Sequence, residues 1–292
     1  MLQPFRFQFI AMTVPCELLI IDDNRQRAEQ LAQQAHARTR QLEKKYNFHQ
    51  PDSWLSRVLN RRSGSRVKLD AETRQLLGQV YQLSEKTAGV FDITVGTLNH
   101  AARRKPEASL DALKQTLAPT MGLNAWHLEG RYLHCEHPET CFDLGGVVKE
   151  FAVDEAAQIV QKARGGSLVS FGGDMRMAGH KADGSPFTIG VRDPHNTQAN
   201  LATLAIENAS VATSGSYERQ QTFGGEAHDH ILARDDAASS RALSTTVIAD
   251  SALEAGIYAT SLMLQPTLNV PSGLKHLIVT KDRKIYSNIN AD

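Results

Sequence analysis

Apolar and polar residues alternate through "FRFQFI" and a short apolar run, "LLII", follows, so Phe5 to Ile21 reads as β structure, strand or hairpin, with Asp22 to Asn24 as a turn. The period then changes. Ala28, Leu31, Ala35 and Leu42 recur at helical spacing, with charge on the opposite face. Leu76, Leu77, Val80 and Leu83 predict a second amphipathic helix, for which Asp70 is a suitable N-cap, and "ASLDALKQTL" predicts a third. "AWHLEG" and "RYLHCE" predict a hairpin turning at Glu129-Gly130. Ala152, Val153, Ala156, Ile159, Val160 and Ala163 continue a helix that Gly165-Gly166 ends. A β-rich block follows ("SLVSF", "MRMAG", "FTIGV", "LATLAIE", "SVATS"), its strands separated by turn signals, which predicts a largely antiparallel sheet. Residues 224 to 244 read as a polar loop, "IADSALEAGIYATSLML" as a last helix stopped by Pro266, and "KHLIVTKDRKIYS" as a closing hairpin. The pattern is α+β. It reads as one domain over 1–292, with two subdomains hinged near residues 100 to 120 as a variant of that reading.

Composition narrows the function. The 292 residues are 41% hydrophobic and 22% charged, the balance of a globular protein. Lys+Arg and Asp+Glu both number 32, so the basic excess of a nucleic-acid binder is missing. No run approaches the roughly 20 apolar residues that span a bilayer. Pro15 precedes Cys16 where a lipoprotein signal wants a small residue, and no continuous apolar region comes before it. The three cysteines, Cys16, Cys135 and Cys141, lack C-x-x-C spacing and read as free thiols in a reducing compartment. The expectation is a cytoplasmic protein that neither spans a membrane nor binds nucleic acid.

Several stretches carry polar chemistry at element ends, each with a plain structural reading beside the functional one. "FDLGGVVKEFAVDEA" sets a carboxylate, two glycines and an ammonium at the mouth of a helix, either as a tight turn or as a close approach to a charged ligand. "VSFGGDMRMAG" puts Gly172-Gly173-Asp174 after an apolar strand, where a β-turn with an Asx bond would suffice. "VATSGSYERQ" offers Thr213, Ser214 and Gly215, suited to a phosphate or to a simple strand end. In "AGVFDITVGTL", Asp92, Thr94 and Gly96 interleave with apolar residues, as an edge strand would. His228 and His230 share one side of an extended segment without a third metal ligand in view. Neither a Walker loop nor an α/β-hydrolase elbow is present.

The order of these stretches, from "AMTVP" through "TAGVFDITVGTL", "DLGGVVKEFAVD", "SFGGD", "ATSGSYER" and "HDHI" to "ALEAGIYAT", resembles the FAD:protein FMN transferases, the ApbE group. The resemblance runs from about residue 5 to about residue 285. It implies an α+β, T-fold-like architecture of antiparallel sheets backed by helices. It also implies an enzyme that moves FMN from FAD onto a Thr or Ser hydroxyl of a target protein and releases AMP, with magnesium at the pyrophosphate. It places Met12, Val90, Phe91, Asp92, Asp143, Lys149 and His230 against FAD, and makes His230 the candidate general base, since an imidazole suits proton removal near neutral pH. His49 falls near an aromatic position of the family.

For the metal, the resemblance implies the main-chain carbonyl of Gly146, Thr260, and position 256. There this chain departs from the family. Active members usually read Ala-Asp-Ala-Leu-Ala-Thr, with Asp and Thr at i and i+4, whereas here the Asp has become Gly256. Asp250 or Asp174 could supply a carboxylate instead, and Glu254 should point elsewhere. The expectation is weak magnesium binding, occupied mainly when the FAD diphosphate supplies oxygens, and slow or absent transfer. A second departure is "HILARDDAA", where the family has an Asp-Pro-Arg turn. Two rival functions share these residues: a flavin-binding homologue without transfer, and an FAD pyrophosphatase releasing FMN and AMP.

Overall fold

The computed structural model describes residues 1–215, 220–223, 226–229 and 242–289. Its centre is an eight-stranded sheet, antiparallel throughout. The alternating hairpin at the start forms its first two strands, β1 (Gln3–Ala11) and β2 (Val14–Asp22), joined through Met12 and Thr13, which both take positive φ (51° and 64°). Such a two-residue turn matches the strand twist but usually recruits glycine or asparagine.

The chain then leaves the sheet for a helical layer. It runs through α1 (Arg25–Tyr46), β3 (Arg66–Lys68), α2 (Ala71–Lys86), α3 (Gly96–Arg104), α4 (Leu110–Leu117), β4 (Trp126–Glu129), β5 (Tyr132–Cys135) and α5 (Gly145–Val160). β3, β5 and β4 make a small three-stranded sheet. It re-enters with β6 (Ser167–Phe171) beside β2 and continues with β7 (Asp174–Ala178). A separate hairpin, β8 (Phe187–Asp193) and β9 (Asn196–Ile206), precedes β10 (Ser210–Gly215). After the short pair β11 (Gln220–Phe223) and β12 (Glu226–Asp229) come β13 (Ala242–Ala249), α6 (Ala252–Leu264), β14 (Lys275–Thr280) and β15 (Ile285–Ser287). The sheet order is β1-β2-β6-β7-β10-β13-β14-β15.

Strand alternation assigns the two faces. Cys16, Leu18 and Ile20 look into the main core with α1, α5 and α6, while Ile21, Met177 and Val211 look into a second core with the β8–β9 hairpin. Asp70 caps α2 as the sequence predicts, and Asn24, Ser109 and Ser251 likewise each accept an amide from the first turn of their helix. Two expectations change. Asp92 to Gly96 is a 3₁₀ turn entering α3, not an edge strand, and residues 226–229 of the expected polar loop form β12.

α6 is buried almost all round, between α5 and strands β10 and β13. α5 is also apolar on most faces. Any charged side chain on their shared surface is therefore forced out of water, where it needs a partner. That packing sets up the site.

Candidate active site

The segment from Thr140 to Leu144 has no sheet partner, so other groups satisfy its backbone. Asn60 brackets Phe142, its Nδ2 donating to the carbonyl at 2.9 Å and its Oδ1 accepting the amide at 2.8 Å. Thr97 Oγ1 accepts from the Cys141 amide at 2.9 Å, and the Asp143 amide donates to the Ile93 carbonyl at 2.8 Å. The turn after Asp92 therefore lies directly on the segment. Gly96 permits it: a Cβ there would stand 2.6 Å from the Asp143 nitrogen and 2.8 Å from the Cys141 oxygen. Two motifs far apart in sequence are thus one structural unit.

Asp143 is half-buried at the start of α5. Its Oδ1 accepts the Gly145 amide at 2.8 Å and its Oδ2 accepts Asn99 Nδ2 at 3.0 Å. Gly145 and Gly146 are exposed, and Gly146 breaks helical geometry at φ −87°, ψ 16°, with open space where a Cβ would be. The helix mouth is therefore kinked and open to a ligand's approach. Asp92 caps its turn, its Oδ1 accepting from the Thr94 amide at 2.8 Å and the Thr94 hydroxyl at 2.6 Å. Phe91 is buried in the core beneath it and Val90 is half-buried.

A second group of polar residues lies one to two turns along α5. Lys149 forms ion pairs with Glu150, at 2.9 Å, and with Asp174. Asp174 is buried and also accepts the Thr213 amide at 3.2 Å. The Gly172-Gly173 turn, at φ 60° and 99°, delivers it there; the carboxylate spans two elements rather than closing an Asx bond. Ser214 Oγ lies 3.4 Å from Thr260 Oγ1 on α6. Gly256, one helical turn before Thr260, has no side chain to offer. Over it stands Glu150, whose Cγ lies 2.5 Å from where a Cβ would be. Neither Asp250 nor Asp174 has that seat: Asp250 accepts from Arg176 through its main-chain carbonyl, and Asp174 faces Lys149.

Met12 is half-buried at the β1–β2 turn, its amide donating to Glu43 Oε1 at 2.7 Å. Burial pushes the Cys16 thiol of β2 up to about 11. His49 is exposed and paired through Nδ1 with Arg103 of α3 at 2.7 Å. His230 lies outside the described residues. A cleft of about 1010 Å³ runs past Gln8, Ile10, Val14, Gly172 and Arg192, and none of the α5 residues lines it. The chemistry-bearing groups sit on the helical side instead.

Sequence reasoning missed Asn60, Asn99 and Glu150. The signal for Glu150 was its helix: a carboxylate within so apolar a stretch has no wet face to occupy. Among the described residues, no three His, Cys, Asp or Glu gather as a metal cage. The available donors are a carboxylate, hydroxyls and exposed main chain, the hard oxygens that suit magnesium when a ligand's phosphates complete the shell.

An antiparallel T-fold-like sheet backed by helices, with a polar seam where α5 meets α6 and β7, defines an α+β protein of one recognisable kind. The chain belongs to the ApbE family, whose family model matches residues 12–277. It is 28% identical over 226 residues to the FAD:protein FMN transferase of Vibrio cholerae serotype O1, covering 74% of this chain and 67% of that protein. It is 30% identical over 236 residues to the FAD:protein FMN transferase of Salmonella typhimurium, covering 74% and 65%. The chain thus spans about two thirds of the length of the curated relatives it matches. The crystal structure of the ApbE protein from Thermotoga maritima superposes with a TM-score of 0.83 at 23% identity, covering 98% and 97% of the two chains. Flavin transferase ApbE from Vibrio cholerae superposes at 0.80 and 22% identity, with the same coverage.

Proposed function

We propose that the protein is an FAD:protein FMN transferase, acting on FAD and on a Thr or Ser hydroxyl of a target protein. The observation that carries this reading is the open, kinked mouth of α5, with Asp143 at it, the turn after Asp92 hydrogen-bonded against Asp143 and Lys149 one turn further along the helix, in a chain whose relatives carry that activity in their names. In the proposed reaction the acceptor oxygen attacks the FMN phosphorus, the P–O bond to AMP breaks, and the acceptor's proton passes to a base. Positioning and charge stabilisation suffice for such a transfer, without a protein nucleophile.

In this reading Met12, Val90 and Phe91 border the flavin and Asp143 hydrogen-bonds FAD from the helix mouth. Lys149 leaves its carboxylate partners to meet the diphosphate, its ammonium acting as a mobile positive charge. His230 takes the acceptor's proton. Gly146 through its carbonyl and Thr260 through its hydroxyl face a magnesium ion. That ion, when bound, supplies charge neutralisation at the diphosphate. The three buried free thiols accord with a reducing, cytoplasmic setting. No helix among the described residues is long and apolar enough to cross a membrane.

Incubation with FAD, magnesium and peptides carrying an acceptor Thr tests the reading. Covalently fluorescent peptide plus AMP is expected. Free FMN plus AMP would instead mark a pyrophosphatase, and unchanged FAD a binding protein.

A further inference from the structure

We propose that Glu150 is the protein carboxylate that holds a divalent cation in this site, and that Gly256 is the gap that admits it. The inference deepens the transferase reading and rests on it only for the role the cation plays.

Three observations carry it. The first is steric: a Cβ at position 256 would lie 2.5 Å from Glu150 Cγ, 3.2 Å from Cδ and 3.4 Å from Oε1. The Glu150 carboxyl group therefore fills the volume that any side chain at 256 would need. A carboxylate entering from α5 and a side chain on α6 exclude one another.

The second is an unpartnered atom. The Glu150 side chain is only 8% exposed. Its Oε1 takes the Lys149 ammonium, but its Oε2 is buried with no hydrogen-bond partner among the described residues. A buried carboxylate oxygen left without a donor is costly, and such atoms in folded proteins call for a partner that binds there.

The third is the charge and donor balance. One ammonium, Lys149, is shared between two buried carboxylates, Glu150 and Asp174, which leaves the group one negative charge in excess. Hydroxyls lie on the same side. Thr260 is one turn beyond Gly256, and Ser214 is 3.4 Å from it. Thr245, opposite Ser214 in the β10–β13 register, has a buried hydroxyl without a partner among the described residues. A net negative, oxygen-only environment selects a small hard cation such as Mg²⁺ or Mn²⁺ over a thiophilic metal.

The test is Mn²⁺ binding to the full chain, followed by calorimetry and by the electron paramagnetic resonance of free Mn²⁺, with and without FAD. The wild type should bind one Mn²⁺ per chain, more tightly with FAD. Glu150→Gln should weaken binding by at least about tenfold while circular dichroism stays unchanged. Returning the carboxylate to α6 in the double variant Glu150→Ala, Gly256→Asp should recover most of the affinity. If Glu150→Gln does not fold, Glu150→Asp, one methylene shorter, should weaken binding in its place. Wild-type affinity in the substituted protein, or no Mn²⁺ binding by the wild type in either condition, overturns the proposal. Flavin transfer is scored separately. Mn²⁺ held through Glu150 without peptide-FMN sinks the transferase reading alone, and transfer with unchanged Mn²⁺ affinity in Glu150→Gln sinks this inference alone.

Discussion

Glu150 and Gly256 are a matched pair: the carboxyl arm of one occupies the space left by the missing side chain of the other, across the α5–α6 contact. A helix-interior glycine normally forfeits roughly 1 kcal/mol relative to alanine. Here that rule should fail. Gly256→Ala is expected to lower stability by about 1–3 kcal/mol, because the new methyl meets Glu150 Cγ inside a packed core. Gly256→Asp alone, which the sequence suggests as a repair of the metal site, should collide in the same way and raise no metal affinity until Glu150 is shortened. Urea denaturation of both variants beside the wild type checks the loss. A stabilised Gly256→Ala would show that Glu150 does not hold this position.

Gly96 makes the tightest contact between the two motif segments, and the atoms it faces are main chain. Gly96→Ala should cost about 3 kcal/mol, since Asp143 and Phe142 cannot yield as a side-chain tip would. FAD binding should weaken with it, as the displaced segment carries Asp143. Denaturation midpoints and flavin fluorescence titration measure the two effects. Unchanged values would mean that the turn after Asp92 and the 140–144 segment move independently.

Asp143 holds two partners, so its loss is not silent for the fold. Asp143→Ala should cost about 1–2 kcal/mol through the Gly145 and Asn99 hydrogen bonds, and should also abolish FAD binding. Asn99→Ala, which removes one of these bonds and keeps the carboxylate, should retain binding. Comparing the two by calorimetry separates ligand recognition from turn maintenance; retention of FAD by Asp143→Ala would leave this residue a structural role only.

Asp154 gives the protein a pH dependence with a defined sign. Its carboxylate accepts the Ala252 amide at 2.8 Å and the Leu253 amide at 3.0 Å at the start of α6. Burial nevertheless pushes its pKa from 3.8 up to about 6, with those amides and Arg176 opposing the shift. The native state therefore holds this proton more tightly than the unfolded chain. The associated stability is fully present below about pH 4 and is lost as pH rises through about 6, by roughly 2–3 kcal/mol. Asp154→Asn should remove that slope. Urea midpoints at half-unit steps from pH 4 to 7 provide the check, read as the difference between wild type and variant, because carboxylates such as Asp70 and Glu72, held low by Lys45, slope the opposite way at lower pH. A difference independent of pH would count against a raised Asp154.

What the sequence determined by itself is the sheet-and-helix alternation, the cap at Asp70, and the succession of motifs that identifies the family. These are local or linear properties. Hydrophobic period follows from which face of an element meets the core, and capping follows from groups within one turn, so both are written in neighbouring residues. The tertiary structure alone decided what stands across each contact. The two glycines before Asp174 announce a turn, but only the folded sheet brings that carboxylate to Lys149. Gly96 reads as part of an edge strand until the main chain of Asp143 is seen against it. Gly256 reads as a missing ligand, and Glu150 is passed over. Their sequence separation hides that one occupies the other's space. Spacing along a chain reports the side of a helix on which a residue falls. Burial, charge balance and the volume left by an absent side chain depend on the neighbouring element, which no local pattern specifies.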